Sequence, residues 1–167
     1  MGCGKSTVGP RLAALLEWAF FDLDDKIVSA VQMPISRYFT EAGEPAFRDV
    51  ERQQLLLSEN THNQVIAVGG GALCSQENLD WAKRHGVVVY LQVSVDALIS
   101  RLKSGHATRP MLLGKSGQLL SDDAVRSRIS GLLEQRTSFY EQADLTIHTD
   151  DLTVEEVAGR VCELVSQ

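Results

Sequence analysis

The run Met1-Gly2-Cys3-Gly4-Lys5-Ser6-Thr7 constrains this chain more than any other stretch. Gly4-Lys5-Ser6 is the closing half of the phosphate-binding pattern Gly-x-x-x-x-Gly-Lys-[Ser/Thr]. A loop of this kind turns backbone N–H groups toward the phosphates of a nucleotide. Its lysine reaches the β/γ-phosphates, and the hydroxyl after the lysine holds Mg²⁺. The competing reading is a glycine-rich tail with an accidental lysine. Against it, Val8, Leu12, Leu15 and Leu16 follow at helical spacing, so Ser6 to about Glu17 reads as an amphipathic helix. The motif therefore stands at a helix N-terminus, where a phosphate gains from free amides and the helix dipole. The first glycine of the pattern, and the strand that normally feeds such a loop, would lie upstream of Met1. The expectation is a chain that opens inside its own motif, with Met1 an internal methionine.

At 167 residues, with 44% hydrophobic and 23% charged residues, the chain has the size and composition of one soluble domain with a sizeable core. A net charge of −6 without a basic stripe argues against a nucleic-acid partner. Cys3, Cys74 and Cys162 are too few and too scattered for a disulfide framework, which fits a reducing compartment. No apolar run approaches the roughly 20 residues of a membrane span, and the N-terminus is not a signal peptide. Composition thus points to the cytoplasm, with no membrane partner.

Strand and helix signals alternate along the rest of the chain. Residues 19–23, 65–68, 87–93 and 145–148 read as short strands. The fully apolar run Val65–Val68 suits a strand buried on both faces. Helices are expected over Lys26–Gln32, Ile35–Glu41 after Pro34, and Glu44 to about Asn60 with Phe47, Val50 and Leu57 on one face. Further helices are expected over Gln76–His85, from Ser94 through Leu102, from Ser121 to about Tyr140, and after the capping box Thr153-x-x-Glu156. The last carries Val154, Val157, Val161 and Leu164 inward. Ser104–Leu120 holds three glycines and a proline without periodicity and reads as a mobile excursion. The pattern implies βαβ units, hence an α/β fold with a parallel sheet between helical layers.

Several residues carry candidate chemistry. Asp22 and Asp24 close a strand whose carboxyl end faces the edge where open α/β folds bind ligands. One could hold the water shell of Mg²⁺ while the other accepts a substrate hydroxyl, although an Asp-x-Asp after a strand is more often a turn or cap. Arg136 continues the apolar stripe Val125, Ile129, Leu132, placing a charge on a buried face. An unpaired buried guanidinium is costly, so it needs an anion, either Glu141 or Asp144 from within or a bound carboxylate or phosphate. Arg48, with Glu51 and Arg52 one turn on, reads by itself as a surface ion pair. Gly69-Gly70-Gly71 is a flexible turn or a place for close backbone approach of a ligand. Arg109, within the excursion, could swing over a phosphate.

Taken together these segments resemble shikimate kinase. The carriers are residues 1–9, Phe-Asp-Leu-Asp-Asp at 21–25, and Glu-Ala-Gly-Glu-Pro-Ala-Phe-Arg-Asp-Val-Glu at 41–51. Gly-Gly-Gly-Ala at 69–72, Arg-Pro-Met-Leu at 109–112 and Glu-Gln-Arg-Thr-Ser-Phe-Tyr at 134–140 complete the set. They cover nearly the whole chain in the family's order. The resemblance implies a single kinase domain over 1–167 with a lid near 104–120. It implies transfer of the γ-phosphoryl of ATP to the 3-hydroxyl of shikimate, with Mg²⁺, in aromatic amino-acid biosynthesis. By position, Gly2, Cys3, Gly4, Lys5, Ser6 and Thr7 would hold the nucleotide. Ser6, with Asp22 in the outer shell, would hold the metal. Asp24 would bind the accepting hydroxyl and act as base. Arg48, Arg136 and the Gly70 backbone would hold the substrate, Arg109 would act on the phosphates, and Arg101 would stack on adenine. The family is commonly monomeric, and its five-stranded parallel sheet runs 2-3-1-4-5, of which this chain would lack strand 1. The alternatives left open are another small sugar-acid or nucleotide kinase, and an inactive, N-terminally truncated fragment.

Overall fold

The computed structural model describes residues 2–60, 62–104 and 118–166. The chain order is α1 (Lys5–Leu16), β1 (Ala19–Asp22), α2 (Leu23–Val31), α3 (Ile35–Leu56) and β2 (Gln64–Ala67). Then come α4 (Gln76–His85), β3 (Val89–Gln92), α5 (Val95–Ser104), α6 (Asp122–Tyr140), β4 (Leu145–His148) and α7 (Val154–Val165). The fold is α/β, with helices layered about parallel strands. Most of the expected elements lie within a residue or two of their places. Among the described residues, no helix is long and apolar enough to cross a membrane.

Local chemistry explains most boundaries. Ser75, Ser121 and Thr153 cap α4, α6 and α7, and at α7 the Glu156 side chain closes the reciprocal box. Gly43, at φ 84°, breaks α3 into the two helical segments that Pro34 and Gly43 led one to expect. Two expected inward residues face out. Leu57 is 63% exposed, because the chain tightens into a 3₁₀ turn over Leu57–Asn60 and rotates that side chain off the buried face. Leu164 is 44% exposed, and Ala158 takes the buried place beside Val157 and Val161.

The strands pair in parallel, β1 with β2 from Ala19↔Gln64 to Asp22↔Ala67, and β3 with β4 from Val89↔Leu145 to Gln92↔His148. Among the described residues no ladder joins β2 to β3. Between them lies an apolar cleft of about 130 Å³ whose lining includes Val68, Val89, Leu91 and Leu133. Both pairs are parallel, as expected of neighbouring strands in an α/β sheet. Three cores support the halves. Leu23, Ile27, Phe47, Leu55 and Ala72 underlie α2 and α3. Val8, Ile147, Val157, Ala158 and Val161 join α1, β4 and α7. Val93, Leu98, Ile99, Leu102, Val125 and Ile129 join α5 to α6. Gly9 lets α1 pass close to β1, since a Cβ there would sit 2.3 Å from the Phe20 ring.

Candidate active site

The glycine-rich loop enters α1 through Gly2 and Gly4 at φ 81° and 94°, backbone that residues with a Cβ adopt only under strain. The Gly4 carbonyl accepts the Thr7 and Val8 amides at 3.0 and 2.8 Å, and Gly4 makes no side-chain cap. The amides just ahead of them therefore stay open to an anion, as helix N-termini require. Lys5 is half-buried beside the cleft, and its ammonium approaches the Cys3 sulfur at 3.7 Å. Thr7 is exposed on the first turn.

Ser6 and Asp22 meet across 16 residues. The Ser6 hydroxyl donates to Asp22 Oδ2 at 2.8 Å, which sets the loop at the carboxyl end of β1. Asp22 Oδ1 accepts the Asp24 amide at 3.1 Å and so caps α2. Asp22 is thus a helix cap through one oxygen and meets the loop hydroxyl with the other. Asp24 stands in the first turn of α2 and not on a continuing strand. Desolvation raises its carboxyl above the usual aspartate value, the Asp22 charge adds to this, and Lys5 opposes it.

The glycine turn after β2 gathers the remaining groups. A Cβ on Gly71 would fall 2.7–3.0 Å from the Arg48 guanidinium, and one on Gly69 would lie 3.1 Å from Glu51 Oε1 and 3.5 Å from Asp24 Oδ1. Only bare backbone fits beneath that arginine. Arg48 donates to Glu51 Oε2 at 2.6 Å and to Glu44 Oε1 at 3.2 Å. Glu51 is 3% exposed, so this is no surface pair. Burial raises the Glu51 carboxyl and Arg48 opposes it. Burial also works against the Arg48 cation, but the bonds to Glu51 and Glu44 outweigh it and hold the guanidinium charged more firmly than usual.

Arg136 projects from α6 into electrostatic reach of Glu51 and Cys74. Of the internal partners left open by the sequence, Asp144 is paired with Lys83 at 3.2 Å. Among the described residues Arg136 has no carboxylate within 4 Å. The turn itself is pinned. Gly70 O accepts from the Tyr140 hydroxyl at 2.6 Å and from Cys74 Sγ at 3.3 Å, and buried Asn78 donates to Ala72 O at 2.8 Å while accepting from Arg52.

Arg101 stands apart from these groups. It donates to the Thr149 carbonyl at 2.7 Å, at the carboxyl end of β4. Arg109 and nearly all of the expected lid lie outside the described residues. Among the described residues no group of three His, Cys, Asp or Glu side chains could hold a metal by itself. Glu51 and Tyr140 are the site residues that the sequence reading passed over. Each carried a signal: Glu51 follows the buried Phe47 by four residues, and Tyr140 follows Arg136 by four, so each shares a helix face with its predecessor.

A family model described as shikimate kinase matches residues 1–166. A shikimate kinase of Salinibacter ruber is 42% identical over 166 residues, covering 99% of this chain and 81% of the relative. Among solved structures, shikimate kinase from Bacteroides thetaiotaomicron superposes with a TM-score of 0.91 at 36% identity, covering 100% of this chain and 94% of the other. Shikimate kinase from Acinetobacter baumannii in complex with shikimate gives 0.86 at 30% identity, covering 99% and 88%.

Proposed function

The chain belongs to the shikimate kinase family, and from that premise we propose that it transfers the γ-phosphoryl group of ATP to the 3-hydroxyl of shikimate. The reaction serves aromatic amino-acid biosynthesis, and the protein works on these two small molecules as a cytoplasmic monomer. The observation that carries the acceptor assignment is Arg136. It lacks a carboxylate within the described residues and stands with Arg48 about the glycine turn, an arrangement suited to the carboxylate of shikimate.

The remaining roles are those the family resemblance implies, and the loop, Ser6, Asp22 and Asp24 have geometry that supports them. The loop amides of Gly2 through Thr7 and the Lys5 ammonium hold the nucleotide phosphates. Ser6 and Asp22 offer adjacent hard oxygen donors, which fit an ion that binds through one or two protein oxygens and keeps its waters. Mg²⁺ held by these oxygens would supply neutralising charge to the phosphates. Asp24, close to Gly69 and flanked by Lys5, receives the proton of the accepting hydroxyl. The Gly70 backbone contacts the acceptor, Arg109 supplies charge to the phosphates, and Arg101 stacks on the adenine.

A coupled assay of ADP release tests the assignment, with shikimate, gluconate and nucleoside monophosphates offered in turn. Turnover with shikimate alone is expected. Turnover with gluconate or a nucleotide in its place would overturn the reading. Gly71→Ala offers a finer check. The added methyl must push the Arg48 guanidinium aside, and because that group ends a flexible side chain the fold tolerates the change. We expect unfolding to shift by less than about 1 kcal/mol. Shikimate affinity is expected to fall about tenfold, the worth of one charge-assisted hydrogen bond. Calorimetric titration and thermal melting read the two effects separately.

A further inference from the structure

Two halves of the molecule contribute to the acceptor pocket. Asp24, Arg48, Glu51 and the glycine turn belong to the elements around β1 and β2, whereas Arg136 rides on α6, which packs against α5. Among the described residues no strand ladder joins β2 to β3. The Tyr140 hydroxyl spans this division. It donates to Gly70 O at 2.6 Å, across 70 residues, and Arg136 lies one helical turn back on the same helix, within electrostatic reach of the phenol.

We propose that Tyr140 is a positioning residue for the acceptor: its hydroxyl fixes Arg136 and the glycine turn to one another and so sets the separation of the two arginines. The direction of the bond follows from chemistry: a carbonyl only accepts, so the hydroxyl proton goes to Gly70 O, and α6, with Arg136 on it, is tied to the glycine turn. Burial raises the Tyr140 phenol above its ordinary value, so the proton stays in place at neutral pH. The ring is held on its other side by Tyr90, with centroids 4.9 Å apart and planes at 30°. The bond to Gly70 O involves no residue of the loop that holds the nucleotide. Loss of the hydroxyl therefore loosens the acceptor pocket and leaves the nucleotide site alone.

The inference rests on the shikimate kinase reading, and Tyr140→Phe tests it. The variant keeps the ring against Tyr90 and removes only the hydroxyl. The expected result is a rise in KM for shikimate of about three- to tenfold, the worth of one hydrogen bond. KM for ATP should be unchanged and kcat within about twofold, the pattern of lost ground-state binding. Tyr90→Phe, which removes a neighbouring hydroxyl outside this bond, should leave both KM values unchanged. A lowered melting temperature with both KM values unchanged in Tyr140→Phe would assign the bond to stability alone and overturn the proposal. So would an equal rise in both. Wild-type protein inert toward shikimate would overturn the functional reading and this inference with it. Active wild-type enzyme with an unaltered Tyr140→Phe variant would overturn this inference alone.

Discussion

Asp24→Asn is expected to lower kcat by about 10²- to 10⁴-fold, the usual contribution of a general base. The amide keeps the size of the carboxylate and can still sit beside Gly69, but it cannot take the proton of the accepting hydroxyl. KM for shikimate should change far less than kcat. The raised carboxyl of Asp24 makes two further expectations specific. Its reactive form is the carboxylate, so wild-type activity should rise with pH through a limb lying above the ordinary aspartate value of 3.8. That limb should be absent from whatever activity Asp24→Asn retains. For stability the sign is opposite. A carboxyl that binds its proton more tightly in the folded state favours folding at low pH, and that contribution is lost as pH rises through the folded value. At neutral pH the substitution removes an ionised group that the fold disfavours, so the variant should melt no lower than wild type. A variant with full kcat would eliminate Asp24 as the base.

Arg136→Ala and Arg48→Ala are each expected to weaken shikimate binding about 10²-fold or more, as truncating one partner of a buried charge pair does, with ATP affinity unchanged. Their stabilities should differ. Arg136 has no carboxylate within 4 Å among the described residues and acts on Glu51 only at longer range, so its removal should cost the free protein less. Removing Arg48 strands Glu51, which is 3% exposed. Breaking a buried pair costs roughly 3–5 kcal/mol, and since Arg48 itself is 36% exposed we expect about 1–3 kcal/mol. Glu51 would then titrate still higher than it does beside Arg48. Its contribution to folding is present below the ordinary glutamate value of 4.5 and lost as pH rises through the raised folded value, so Arg48→Ala should recover stability on acidification toward that ordinary value. Melting curves across pH check this, and unchanged shikimate affinity in both variants would remove the basis for the acceptor assignment.

Arg48 shows how far sequence carries. Read alone, Arg48 with Glu51 three residues on is a solvated ion pair of little consequence. In the fold the pair lies over the glycine turn, Arg48 against Gly71 and Glu51 against Gly69, because Glu51 shares the face of α3 that Phe47 and Leu55 bury. Arg136 was legible in the opposite way. Its place on an apolar stripe required an anion, and the structure removed the internal candidate Asp144 by giving it to Lys83. Asp22 was legible only in part, since its two oxygens serve two partners, one local and one distant.

Sequence by itself determined what depends on near neighbours along the chain. The left-handed glycines of the loop, the caps at Ser75, Ser121 and Thr153, the break at Gly43 and the apolar faces of α5 and α7 all follow from backbone preference and periodicity within a few residues. The identity of the chemistry followed too, because the loop, the carboxylates, the glycine triplet and the arginines occur in a characteristic order. Tertiary structure alone decided which of these groups meet. Ser6 reaches Asp22 across 16 residues and Tyr140 reaches Gly70 across 70, through parallel crossovers whose connecting helices hide the final distance from any sequence spacing. Burial of Glu51, the exposure of Leu57 and the seating of Arg48 on a bare glycine turn were decided there as well. Each depends on how packed elements share space, and no pairwise rule along the chain encodes that.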